Sequence, residues 1–264
     1  MKTVIQVWTQ NCSNLRRNNY DNYWGIGDLI RGTIKLYQLS KKMNFRLIVN
    51  IKHHPISNFL KQTYIEYEDL ITQNINNILF ITPNNVENYI NNSSDNIIYF
   101  LTNDLCDENN ISEDCKNFIK DILKPNDELY NNINSIIQSK EAHYEILHLR
   151  TGDIYIKEGL MEINTIRRIY KIVDNNYKNN DFVMCDSSNF KYQLKHNKPQ
   201  INILELDVGH IGYETDLNKI KNSLIEFFII THSNKIKTFS VYGWVSGYVH
   251  WISKIYNIEL ISLN

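Results

Sequence analysis

The sequence predicts an α/β protein with mainly parallel sheets. Short β-branched segments such as Thr3–Trp8 and Phe45–Ile51 alternate with stretches whose apolar residues recur at helical spacing. The alternation runs through the first half of the chain and repeats in the second. Several strands run through a glycine or a small polar group straight into a helix, as parallel strands with right-handed crossovers do.

Taken in order, Thr3–Trp8 is a short apolar strand, followed by a polar loop rich in Asn and Arg. Gly25-Ile26-Gly27-Asp28 then opens a helix to about Lys42, with Ile26, Leu29/Ile30, Thr33, Leu36/Tyr37 and Ser40/Met43 on one face. Phe45–Ile51 is the next strand and Ile56–Tyr67 a second helix. Ile78–Thr82 and Ile97–Leu101 are further strands set among Asn-rich polar stretches. Ser112 caps a helix to Leu123, Pro125 breaks the chain, and Asn126–Lys140 forms another helix. Two domains are expected, 1–140 and 141–264. The second opens on strand Glu145–Leu149, then helix Ile163–Tyr177 and strand Asp181–Cys185 with a helix to about Lys195. Strand Ile201–Leu206, a helix capped by Thr215 or Asp216, strand Ile236–Ser240, a helix to Ile255 and strand Ile258–Ser262 complete it.

The 264 residues are 42% hydrophobic and 22% charged, enough for a buried core. The formal net charge of −1 provides no basic field for nucleic acid or an anionic membrane surface. Cys12, Cys106, Cys115 and Cys185 show no zinc or redox spacing, and reduced thiols are expected. Asn-X-Ser patterns at Asn11, Asn91, Asn92 and Asn110 are what chance yields in an Asn-rich chain. With neither a cleavable signal peptide nor an apolar run of spanning length, a cytoplasmic protein without a membrane span is expected.

Residues 145–153 carry the sharpest chemical signal. Ile146, Leu147 and Leu149 make a buried strand, while His148 and Arg150, two apart, point the same way. A guanidinium at the carboxyl end of such a strand suits an anion, since its planar fork grips two phosphate oxygens. Asp186-Ser187-Ser188 and Thr238/Ser240 end two further strands, each leading to a helix whose free N–H groups favour an anion. Together with Asp153 they resemble a nucleotide-diphosphate cradle. Plainer readings stand beside this one. Asp186-Ser187 can be a helix cap, His148 a satisfied core histidine, Asp153 a turn former, and Ser240 merely a small residue. Asp153 or Asp186 can be the structural partner of Arg150, and Gly25 and Gly27 can serve a tight turn as well as ligand approach. Neither G-x-G-x-x-G nor a P-loop is present.

The ordered set of tips resembles the fucosyltransferase superfamily that makes α1,2, α1,6 and protein-O-linked fucose. His148-Leu149-Arg150-Thr151-Gly152-Asp153 is similar to its H-x-R-x-x-D segment. Gly25-Ile26-Gly27-Asp28-Leu29-Ile30-Arg31-Gly32 resembles its N-terminal glycine loop, and Ile122-Leu123-Lys124-Pro125 its step before the second domain. Cys185-Asp186-Ser187-Ser188 and Thr238-Phe239-Ser240-Val241-Tyr242-Gly243-Trp244 resemble its second and third motifs. The resemblance implies a GT-B fold of two facing Rossmann-like domains, the second holding the nucleotide sugar. It implies GDP-fucose as donor, a glycan or protein hydroxyl as acceptor, inversion, and no metal or other cofactor. It makes Arg150 the β-phosphate ligand and His148 and Asp186 guanosine contacts. Thr238 and Ser240 become phosphate contacts, with Gly25, Gly27, Asp153 and Ser187 also on the donor side. Asp28 is the candidate to take the acceptor proton. Thr151 departs from the pattern, since many members carry a second Arg there. Two other readings fit the same residues: a transferase for another nucleotide sugar, and a nucleotide- or sugar-binding protein without turnover.

Overall fold

The computed structural model describes residues 1–9, 24–61, 67, 69–71, 79–81, 85–138, 143–212, 214 and 216–264. The expected polar loop over 10–23, Cys12 within it, and Thr215 lie outside the described residues. The chain divides into two compact units, Met1–Asn126 with Ile211–Tyr213, and Asp127–His210 with Glu214–Asn264.

In the first unit β1 (Thr3–Val7), α1 (Ile26–Met43), β2 (Arg46–Asn50), β3 (Leu79–Ile81), α2 (Val86–Asn92), β4 (Ile97–Thr102) and α3 (Glu113–Ile122) follow in order. Their strands form one parallel sheet, β2-β1-β4-β3. Every residue of β1 is buried, the mark of a strand covered on both faces. Val4, Leu36, Leu39, Phe45, Val86 and Phe100 meet in its core. Gly32 is the glycine of α1 that packing demands. A Cβ there would lie 1.9 Å from the Thr102 carbonyl oxygen and 2.7 Å from its carbon, backbone atoms that cannot step aside. Gly32→Ala is therefore expected to destabilise the protein by about 1–3 kcal/mol through overpacking, measured as a lower urea midpoint. An unchanged midpoint would contradict the close approach of α1 to β4.

The second unit contains α4 (Asp127–Gln138), β5 (Glu145–Arg150), α5 (Asp153–Glu158), α6 (Ile163–Asn176), β6 (Phe182–Cys185), α7 (Ser188–Asn197), α8 (Leu217–Thr231), β7 (Lys235–Ser240), α9 (Gly247–Tyr256) and β8 (Glu259–Ser262). Its sheet, β6-β5-β7-β8, is also parallel throughout. Leu147, Leu149, Val183, Phe190, Leu194 and Phe239 fill the core. The division between units falls after Asn126, so α4 groups with the second unit.

Three expectations need correction. Where a helix over Ile56–Tyr67 was expected, a 3-10 turn covers Pro55–Phe59 and Leu60 leaves it to bridge Pro125, while 62–66 lie outside the described residues. The short helices α2 and α5 were not foreseen. Ile201–Leu206 is not a strand, because Ile203 alone bridges Val183. Side chains take the place of the ladder over the next residues. Lys191 Nζ donates to the Leu206 carbonyl (3.0 Å) and Asn222 Nδ2 to that of Asp207 (2.9 Å). The Ser188 and Ser223 hydroxyls accept from Val208 N (2.9 Å) and Gly209 N (3.0 Å). Lys191, 1% exposed, is also paired with the buried Glu226. Residues 206–209 thus have side-chain partners for their backbone groups without belonging to the sheet.

Candidate functional site

In the second sheet the chain steps from β5 outward to β6, and from β7 the other way to β8. The connections leaving β5 and β7 diverge, the arrangement at which open α/β sheets place ligands. Across the seam His148 pairs in register with Thr238, and Arg150 with Ser240. His148, Arg150, Asp153, Asp186, Ser187, Thr238 and Ser240 all come to this edge.

Arg150 sits at the centre, with its side chain 15% exposed. Its Nη1 donates to Asp186 Oδ2 at 2.6 Å and its Nη2 to Asp153 Oδ1 at 2.7 Å. Asp186 Oδ1 also accepts from Thr151 N (2.8 Å) and Thr151 Oγ1 (2.6 Å), and Oδ2 from Gly152 N (3.3 Å). Gly152 has φ 93°, and a Cβ on it would lie 2.9 Å from Val241 Cγ2, so this turn needs glycine. Burial works against the Asp186 carboxylate, but Arg150 and the Thr151 hydrogen bonds outweigh it and hold its pKa below the ordinary value. Burial likewise disfavours the charge on Arg150, and Asp186 and Asp153 overcome it. Asp153 is fixed a second time, by Tyr242. Its N–H donates to the Tyr242 hydroxyl (2.7 Å), which donates back to Asp153 Oδ2 (3.2 Å).

His148 and Thr238 lie beneath this layer, 5% and 0% exposed. Their Nδ1 and Oγ1 atoms are 3.0 Å apart, and Tyr248 stacks on the imidazole at 6.0 Å. Burial lowers the His148 pKa to about 4, Arg150 lowering it further and Asp186 opposing. The unfolded chain regains a value of about 6.5 and binds the proton first. The stability that neutral His148 contributes is therefore full above pH 6.5 and is lost as pH falls towards 4. His54 and His210, both lowered to about 4 chiefly by burial, act in the same window. His148→Asn should make the urea midpoint fall less steeply between pH 6.5 and 4. A slope equal to that of the wild type would contradict it.

Ser187 caps α7, its hydroxyl accepting from Phe190 N at 3.3 Å. Ser240 is 2% exposed, and its hydroxyl accepts from Tyr242 N at 3.3 Å. The remaining predicted residues belong to the first unit. Gly25 is the N-cap of α1, Gly27 is buried in its first turn, and Asp28 pairs with Arg31 at 3.2 Å. Arg31 Nε in turn donates to the Asn103 carbonyl at 2.8 Å, just beyond β4.

Sequence reasoning assigned no role to Tyr242, which stands in the third motif, or to Tyr248 and Ser246. Tyr242 and Tyr248 carry no local signal, because their partners lie 89 residues away or on another element. Ser246 was findable as a serine directly before an apolar periodic run. It is the N-cap of α9, with no side-chain capping bond. Among the described residues no helix is long and apolar enough to cross a membrane.

No family profile matches the sequence, and no curated protein is similar to it by sequence. Solved structures are similar in fold. The NodZ α-1,6-fucosyltransferase from a crystal soaked with GDP-fucose has a TM-score of 0.57 and 12% identity, over 96% of this chain and 92% of its own. NodZ from Bradyrhizobium, in selenomethionine form, has a TM-score of 0.52 at 10% identity, over 95% and 91%. A mutant of Arabidopsis thaliana FUT1 in complex with GDP has a TM-score of 0.57 at 10% identity, over 99% and 70%. The chain has the GT-B fold of these fucosyltransferases.

Proposed function

We propose, from the fold that this chain has in common with solved fucosyltransferases, that it is a glycosyltransferase. Its donor is GDP-fucose, its acceptor a hydroxyl on a glycan or protein, and transfer inverts the anomeric carbon without a metal requirement. The position of Arg150 carries the reading, as a guanidinium held at the carboxyl end of the seam between β5 and β7.

In the proposed reaction the glycosidic C–O bond breaks and negative charge builds on the departing β-phosphate. Arg150 stabilises that charge as it forms. Asp186 and Asp153 leave this cluster with a net charge of −1, counted as one guanidinium and two carboxylates. A diphosphate therefore enters by replacing one carboxylate. Asp153 yields, because its side chain is 48% exposed and that of Asp186 only 12%. A phosphate oxygen takes the place of Asp153 Oδ1 on Nη2, and Asp186 keeps the fork in plane. Ser246 and the first N–H groups of α9 supply further donors. His148, Thr238 and Ser240 support the donor site from beneath. On the first unit, Asp28 is the proposed base for the acceptor hydroxyl, with Gly25 and Gly27 beside it at the start of α1.

Thermal shift with GDP, GDP-fucose, UDP and dTDP tests the reading, since a ligand of the folded state alone raises the melting temperature. GDP and GDP-fucose should raise it and the other two should not. Absence of a shift with both guanosine ligands sinks the donor assignment. Asp28→Asn is expected to lower turnover, followed as GDP release, by roughly 10²–10⁴-fold with GDP affinity intact. Wild-type turnover in this variant would remove Asp28 as the base.

A further inference from the structure

Beside the Arg150 cluster stands a stacked aromatic pair whose outer ring has no role in the proposal above. Tyr242 and Trp244 stack with centroids 5.2 Å apart and planes 15° from parallel. Tyr242 is anchored through its hydroxyl to both the N–H and the carboxylate of Asp153. Gly243, at φ 76°, folds the chain back between the two rings, and its N–H donates to the Ser240 carbonyl at 3.2 Å. The outer ring is left open. Trp244 is 67% exposed, whereas Trp8, Trp24 and Trp251 are at most 8% exposed.

A large indole presented to water on a fixed support is a flat apolar face beside a polar centre. The side chains run without a break from Trp244 through Tyr242 and Asp153 to Arg150. A ligand on Trp244 therefore lies next to whatever Arg150 binds. The matching chemistry is a pyranose ring, with one face of C–H groups for the indole and a rim of hydroxyls for water and the neighbouring polar groups. We infer that Trp244 is the platform of a sugar subsite that stacks a pyranose beside the proposed diphosphate site at Arg150. This rests on the donor reading above for the identity of the neighbouring group. The pyranose comes either from the donor or from the acceptor, and the two sources separate experimentally.

The test is calorimetric titration of the full chain and of Trp244→Ala and Trp244→Phe. The probes are GDP, GDP-fucose, methyl α-L-fucoside, and short oligomers of N-acetylglucosamine and of galactose. Trp244→Ala should weaken sugar binding roughly tenfold, with Trp244→Phe recovering part of it and GDP affinity equal in all three chains. Loss confined to GDP-fucose assigns the platform to the donor sugar, and loss confined to the oligomers assigns it to the acceptor. Either result supports the subsite. A wild-type chain that binds GDP and has equal affinity for every sugar probe in all three forms overturns it, as does one that binds none of them. A chain that fails to bind GDP overturns the donor reading instead. Binding of the oligomers, weakened by Trp244→Ala, would then still hold the platform in place.

Discussion

Arg150→Ala is expected to abolish the stabilisation that GDP confers. One charge-assisted hydrogen bond is worth about 1.5–3 kcal/mol, roughly a ten- to hundredfold loss of affinity. The loss should reach the upper end of that range for an electrostatic reason. Without the guanidinium, Asp153 and Asp186 remain as two uncompensated carboxylates where a diphosphate has to sit. Arg150→Lys retains the charge but not the fork, so it should fall between the wild type and the alanine variant. Titration calorimetry with GDP, alongside urea unfolding to verify the fold, reads all three. Unchanged GDP affinity in a folded Arg150→Ala chain would end the phosphate role.

Asp186→Ala should produce a larger change in stability than in chemistry. Its carboxylate accepts from Arg150 Nη1, Thr151 N, Thr151 Oγ1 and Gly152 N. Removing it leaves Arg150 with Asp153 as its one carboxylate partner in the cluster and deprives several donors of their acceptor at once. Breaking a fully buried pair costs about 3–5 kcal/mol, and the partial exposure of these side chains reduces that to about 2–4 kcal/mol. Asp186→Asn preserves an acceptor oxygen and should lose less. The sign of the pH dependence is also fixed. With a folded pKa below the ordinary value, Asp186 contributes its stability above the unfolded value and loses it as acid protonates the folded carboxylate. Urea midpoints of the two variants at neutral and acid pH test this, and an Asp186→Ala midpoint equal to that of the wild type would refute it.

The parallel α/β architecture was legible because its signals are local. Strands such as Thr3–Val7 and Phe182–Cys185 are short and mostly apolar, and α1 and α4 show clear helical periodicity. The Ile201–Leu206 segment misled because its apolar pattern is that of a strand, whereas the partners of the backbone that follows are side chains on α7 and α8. Sequence cannot show that replacement. In the candidate site, the pairing of Arg150 with Asp153 and Asp186 was foreseeable as an alternative to ligand binding, and both carboxylates do contact it. Thr151 was noted only as a departure from a motif. Its hydroxyl and N–H both fix Asp186, a role that depends on the register of β5 with β6. Tyr242 was noted only as part of the third motif, and its role was not readable for the same reason, since its partner belongs to the far side of the seam.

The seam between β5 and β7 has a kinetic consequence. His148 and Thr238 touch across 90 residues of sequence, while β5–β6 and β7–β8 join strands much nearer in the chain. Closing the longer loop costs more chain entropy before any contact rewards it, so the two shorter pairings form first and the seam zips last. The Arg150 bonds to Asp153 and Asp186 need only the β5–β6 half, and the Tyr242 contact with Asp153 is added at that final step. A nucleotide bound there, as proposed, would act as a clasp across that interface. Hydrogen exchange should accordingly show GDP slowing the amides of β7 more than those of β6.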